Sequence, residues 1–96
     1  MPLHIEIETE QGRDAACVLS FGALEQLQPV FNAFRRRTGV RMSEYDDTRL
    51  PPNHAVLLAD AIEDVFKQAM PAEIAAFQSL LRKAAASQRY LYCGGE

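Results

Sequence analysis

The feature that most constrains this chain is a change of hydrophobic period at Ser20. Before it, Leu3, Ile5 and Ile7 alternate with His4, Glu6 and Glu8, the period of two that turns one face of a strand to a core and the other to water. After it, Leu24, Leu27, Phe31 and Phe34 step by three and four, with Val30 beside them, and so share one face of a helix. A chain that begins as a half-buried strand and turns amphipathic and helical must build layers, sheet against helix, around one core.

The remaining elements are punctuated by glycine and proline. Gly12, between Glu10 and Arg13, marks a turn, and Ala15 to Leu19 is a short, mostly apolar run, so the first two strands form a hairpin. Pro29 has no N–H for the carbonyl of Glu25 and crowds that turn, which predicts a kinked helix or two helical pieces. Arg35, Arg36 and Arg37, then Thr38 and Gly39, end this helix with cations at its negative pole and a glycine stop. Val40 and Met42 alternate with Arg41 and Ser43, predicting a short third strand, and the stretch SEYDDTRLPP, Ser43 to Pro52, follows as a loop. Asn53 is the expected cap of a second helix. There Leu58, Ala61, Ile62, Val65, Phe66 and Ala69 share the apolar arc, and Asp60, Glu63, Asp64 and Lys67 the opposite one. Pro71 opens a third helix with Ile74, Phe77, Leu80, Leu81 and Ala84 on its apolar face, and RYLYC returns to strand chemistry. The expected fold class is α+β: a mainly antiparallel sheet of three to four strands covered by three helices, in the order ββαβααβ, as a single domain over residues 1–96.

Composition narrows the function classes. Ninety-six residues, 48% hydrophobic and 24% charged, suit one globular core. A net charge of −3 repels a polyanion, so a nucleic-acid partner would rest on Arg35, Arg36, Arg37 and Arg41 with Tyr90 and Tyr92 as stacking surfaces. The helix dipole and a sheet face explain the same residues, so nucleic acid is not the expected partner. Cys17 and Cys93 form no CxxC pair and have no histidine at ligand spacing, so no metal is expected. They read as small buried thiols in a reducing compartment, with a bridge between them left open. No apolar run approaches the roughly 20 residues of a membrane span and the amino terminus is acidic, so a cytoplasmic location without membrane contact is expected. No nucleophile elbow, P-loop or HExxH occurs. Cys93 meets His4 only if the first and last strands lie side by side, and neither catalysis nor a cofactor is expected.

What remains is charge layout. Glu44, Asp46 and Asp47 surround Tyr45, and with Asp60, Glu63 and Asp64 they place six acids within twenty-one residues. The glycine and spacing of a calcium loop are absent, so a turn bonded by Asp46, Asp47 and Thr48 is one explanation of the loop. The other is a surface that attracts a basic protein, anchored by Tyr45 and sharpened by Val56, which falls on the acidic stripe. The stripe also reads as a solvated helix face with Glu63 paired to Lys67 and Val56 under the loop. The expected partner-binding residues are Glu44, Tyr45, Asp46, Asp47, Val56, Asp60, Glu63 and Asp64.

The closing run LLRKAAASQRYLYCGGE, an Ala-rich helix feeding a short apolar strand that ends in glycine and an acid, resembles the small bacterial immunity proteins that neutralise a cognate toxin, as do the order of elements and the acidic balance. That resemblance implies a cytoplasmic protein with no catalysis of its own, whose acidic surface occludes a basic toxin. The expectation is a non-catalytic protein-binding module, with a self-associating or regulatory partner-binding protein, homodimeric or not, as the alternative.

Overall fold

The computed structural model describes residues 3–42 and 47–95. In chain order the elements are β1 (Leu3–Thr9), β2 (Gly12–Leu19), α1 (Phe21–Gln26), α2 (Gln28–Thr38), β3 (Thr48–Leu50), α3 (Pro52–Phe66), α4 (Ala72–Ala86) and β4 (Leu91–Gly95). The strands form one antiparallel sheet in the order β2-β1-β4-β3. This is the expected α+β class, with the first helix divided in two at Leu27.

Local chemistry accounts for the joints. The β1–β2 hairpin turns on Glu10 and Gln11, where the Thr9 hydroxyl accepts from the Gln11 N–H and donates to the Gly12 carbonyl, both at 3.3 Å. Gly12 has φ +131, a backbone conformation that a Cβ would oppose. Ser20 caps α1 by accepting from the Ala23 N–H at 3.2 Å. Glu73, in the first turn of α4, accepts from both the backbone N–H and the hydroxyl of Ser20, pinning the strand-to-helix joint to the start of α4. Pro29 sits at the start of α2, where a missing N–H leaves no bond broken. Gly39 closes α2 in the left-handed conformation, φ +78, with its N–H on the Arg35 carbonyl at 2.8 Å.

One face of the sheet, with Leu3, Ile5, Leu19, Leu50, Leu91 and Cys93, meets the apolar faces of all four helices in a single core. Leu24, Leu27, Val30, Phe31 and Phe34 come from the first helical pair, Ala55, Leu58, Ala59 and Ile62 from α3, and Ile74, Phe77, Leu81 and Ala84 from α4. Among the described residues no polar or charged residue is buried. His54, in the first turn of α3, packs its ring edge-on against Phe34 with centroids 5.9 Å apart. With the helices on one side, no helix or strand of the described residues covers the other face of the sheet.

Four expectations need correction. The third strand expected at Val40 to Ser43 does not form at 40–42, and a strand lies instead at Thr48–Leu50, inside the stretch read as a loop. Leu50 pairs with Leu91 and is fully buried, so core burial selects this segment despite the prolines that follow it. Met42 is buried too, carried into the core by the chain leaving α2, which mimics strand alternation. Asn53 does not cap α3: Pro51 holds the cap position with φ −66 and ψ 159, and Pro52 opens the helix. Likewise Pro71 is the cap of α4 and Ala72 its first residue. The apolar arc of α3 is rotated from the one expected, because α3 packs on both α2 and α4. Ala55 and Ala59 are buried, Val65 is 46% exposed, and Ala69 lies beyond the helix end. Small residues at 55 and 59 let the neighbouring helices approach closely.

Candidate functional site

The uncovered face of the sheet receives every second residue of each strand, and directly opposed residues of antiparallel strands share a face. β1 supplies His4, Glu6 and Glu8; β4 supplies Tyr92, opposite Glu6, and Gly94, opposite His4; β3 supplies Arg49, opposite Tyr92. On β2, Val18 stands opposite His4, and an irregularity in the pairing between Ile5 and Glu6 skips Ala16, so that Ala15 and Arg13 face Glu6 and Glu8. Tyr90 extends β4, its carbonyl accepting from the Glu8 N–H at 2.9 Å.

These side chains interlock across all four strands. The Arg13 guanidinium carbon lies 4.6 Å from the Tyr92 ring centre, and that of Arg49 lies 3.8 Å from Tyr90 and 5.7 Å from Tyr92. Arg49 donates from Nε to the Tyr92 hydroxyl at 3.3 Å, a bond that favours its charged form. Glu6 lies 3.9 Å from Arg13 and Glu8 3.8 Å from Arg49, distances beyond a hydrogen bond. Beside Tyr92 a cleft of about 320 Å³ opens, lined by Glu6, Arg13, Asp47, Thr48, Arg49 and Gly94 among others. A Cβ at Gly94 would come within 3.3 Å of Asp47 Oδ1, so glycine lets the acid settle over the strand.

The expected site residues part company here. Glu44, Tyr45 and Asp46 lie outside the described residues. Asp47 lines the sheet cleft. Val56, Asp60, Glu63 and Asp64 do form an exposed stripe on α3, with Val56 40% exposed. Helix α4 answers two of its acids: Arg82 Nη1 donates to Asp60 at 3.0 Å, and Gln78 Nε2 donates to Glu63 at 2.9 Å and to the Ala59 carbonyl at 3.2 Å. Tyr90 and Tyr92 do stack with arginine, but with Arg13 and Arg49 and not with the cluster at Arg35 to Arg41. Sequence reasoning passed over Arg13, Arg49, Glu6 and Glu8. The alternations Glu6/Glu8 and Tyr90/Tyr92 mark two open-face rows, but the pairing that joins them depends on strand order.

The first and last strands do lie side by side, yet alternation separates the candidate nucleophile from its base. Cys93 pairs with Ile5 on the core face and is buried, while His4 pairs with Gly94 on the open face. Cys17 also pairs with Ile5, from the other side of β1. Two strand spacings, about 9.5 Å, hold the thiols apart, more than the roughly 7 Å a disulfide spans, and both are free. Burial pushes the Cys93 thiol up to about 12, and burial with the Glu73 carboxylate raises Cys17. Neither is a thiolate at neutral pH. In the native chain at pH 8, Ellman's reagent is therefore expected to leave Cys93 unreacted and to modify Cys17 more slowly than a free thiol, with both reacting fully in denaturant. A folded value above the ordinary 9.0 means full stability below that pH and progressive loss as pH climbs toward 12, readable as a falling urea midpoint. Rapid native labelling of Cys93 would contradict this placement.

No helix of the described residues is long and apolar enough to cross a membrane, and no group of three or more His, Cys, Asp or Glu among them is placed to hold a metal ion. No family model matches the chain, and neither does any curated protein or solved structure.

Proposed function

We propose that the chain is a non-catalytic protein-binding domain that docks its partner on the open face of its sheet. The observation that carries this is Tyr92, a half-buried ring flanked by the guanidinium groups of Arg13 and Arg49 on a face that no described helix covers. Tyrosine and arginine concentrate binding energy at interfaces, and rings that already hold the arginines in place lower the entropy lost on docking. Val18, 51% exposed on the same face, adds apolar area beside them. The raised thiols weigh against cysteine nucleophiles. Its most concrete form is an inhibitor that neutralises a bacterial toxin, an activity that the resemblance of the closing run implies through an acidic surface and that this reading moves to the open sheet face.

A second surface, the α3 stripe, is favoured by one observation: Val56 is exposed in line with Asp60 and Asp64, an apolar contact within a negative field. It lies in the helical layer, away from the open sheet face, so variants separate the two. Co-expression with the product of the neighbouring reading frame provides the assay, by co-purification and, where that product is toxic, by restored growth. Loss of capture is expected for Tyr92→Ala with Arg49→Ala, and retention for Asp60→Lys with Asp64→Lys. The reverse outcome would move the docking surface to α3.

A further inference from the structure

We propose that the cleft between Arg13 and Arg49 seats an acidic side chain, Asp or Glu, of the partner protein, an inference that rests on docking at the open face. Among the described residues the Arg13 guanidinium makes no hydrogen bond: its neighbours are the Tyr92 ring and Glu6 at 3.9 Å. Arg49 commits Nε to the Tyr92 hydroxyl, and its Nη2 has Glu8 at 3.8 Å, attracted but not bonded. Glu8 Oε2 is itself shut from water with no hydrogen-bond partner, consistent with a contact of charge alone. Two forks of N–H donors thus line one cleft of about 320 Å³, and among the described residues their terminal nitrogens make no hydrogen bond.

A carboxylate matches such a fork in two parallel bonds of about 2.7–2.9 Å, roughly twice as strong as neutral ones, and is favoured over contacts at 3.8 and 3.9 Å that make no hydrogen bond. The tyrosine rings hold both guanidinium planes beforehand, so little side-chain entropy is lost on capture. The surrounding charge selects the source of the anion. Glu6 and Asp47 line the same cleft and Glu8 stands beside Arg49, in a chain of net charge −3. A run of phosphates would meet those carboxylates repeatedly, whereas a single Asp or Glu side chain reaches two cations, and Glu6 and Asp47, which line the same cleft, suit a basic neighbour on the partner.

The test is a titration of the full ¹⁵N-labelled chain at low salt, read at the arginine Nε–Hε resonances. The probes are a blocked Gly-Glu-Gly-Glu-Gly peptide, its lysine counterpart and a single-stranded ten-thymidine oligonucleotide. The glutamate peptide is expected to shift Arg13 and Arg49 saturably and the other two to leave them in place. Arg49→Lys, which keeps charge but loses the fork, is expected to weaken the glutamate peptide at least fivefold. Equal shifts from the lysine peptide, stronger binding of the oligonucleotide, or undiminished binding by Arg49→Lys would each overturn the carboxylate seat. If the glutamate peptide is inert while Tyr92→Ala still abolishes partner capture, the seat falls and the docking surface stands; if Tyr92→Ala also captures normally, both fall.

Discussion

Replacing Phe77 with alanine is expected to lower the stability of the fold by about 3–5 kcal/mol, the usual cost of emptying a buried aromatic site. Phe77 is fully buried on α4, inside the cluster where helix and sheet side chains meet. The void forms where backbone is held from several sides, since Glu73 one turn earlier ties α4 to the β2–α1 joint, so little collapse can refill it. Domains of this size have about 5–15 kcal/mol to lose, and the urea midpoint should fall by more than about 1 M. Val65→Ala is the contrasting case. Its side chain is 46% exposed on α3, and the change should stay within about 0.5 kcal/mol. If Val65→Ala were as costly as Phe77→Ala, the rotation of α3 described above would be wrong.

Tyr92→Ala is expected to weaken partner capture by about 30-fold or more, the threshold of a binding hot spot at about 2 kcal/mol. One truncation removes the ring that Arg13 and Arg49 share and the hydroxyl that accepts from Arg49 Nε. Arg13 then loses its ring and Arg49 keeps only its stack on Tyr90, so more of their ordering must be supplied on docking. Tyr92→Phe keeps the ring and loses only the hydroxyl, so most of the affinity should survive. The stability cost of Tyr92→Ala should be smaller than that of Phe77→Ala, because exposed cross-strand pairs contribute about 0.2–1 kcal/mol each. Circular dichroism of the variant therefore separates lost docking from lost folding. Equal capture by Tyr92→Ala and the unaltered chain would remove the open face from consideration.

Period and punctuation made the elements legible. Alternation over Leu3 to Ile7, the three-and-four spacing from Leu24 to Phe34, the break before Pro29 and the stop at Gly39 all correspond to observed structure. Local signals failed where burial was decided by distant partners. Thr48–Leu50 is a strand because Leu50 completes a core with Leu91, and nothing in three residues beside two prolines announces it. The arc of α3 was misjudged at Val65 because helix packing on two sides favours Ala55 and Ala59. The acidic stripe was legible as an exposed face, but the ion pair from Arg82 to Asp60 and the hydrogen bond from Gln78 to Glu63 were not. The open face was hidden most deeply, since Arg49 and Tyr92 are 43 residues apart and meet only through the order β2-β1-β4-β3.

The most direct measurement is a backbone amide shift map of the ¹⁵N-labelled chain bound to the captured partner. Docking on the sheet predicts the largest changes at Glu6, Arg13, Arg49 and Tyr92, with α3 nearly silent. Changes gathered at Val56, Asp60 and Asp64, with the four sheet positions unmoved, would contradict it.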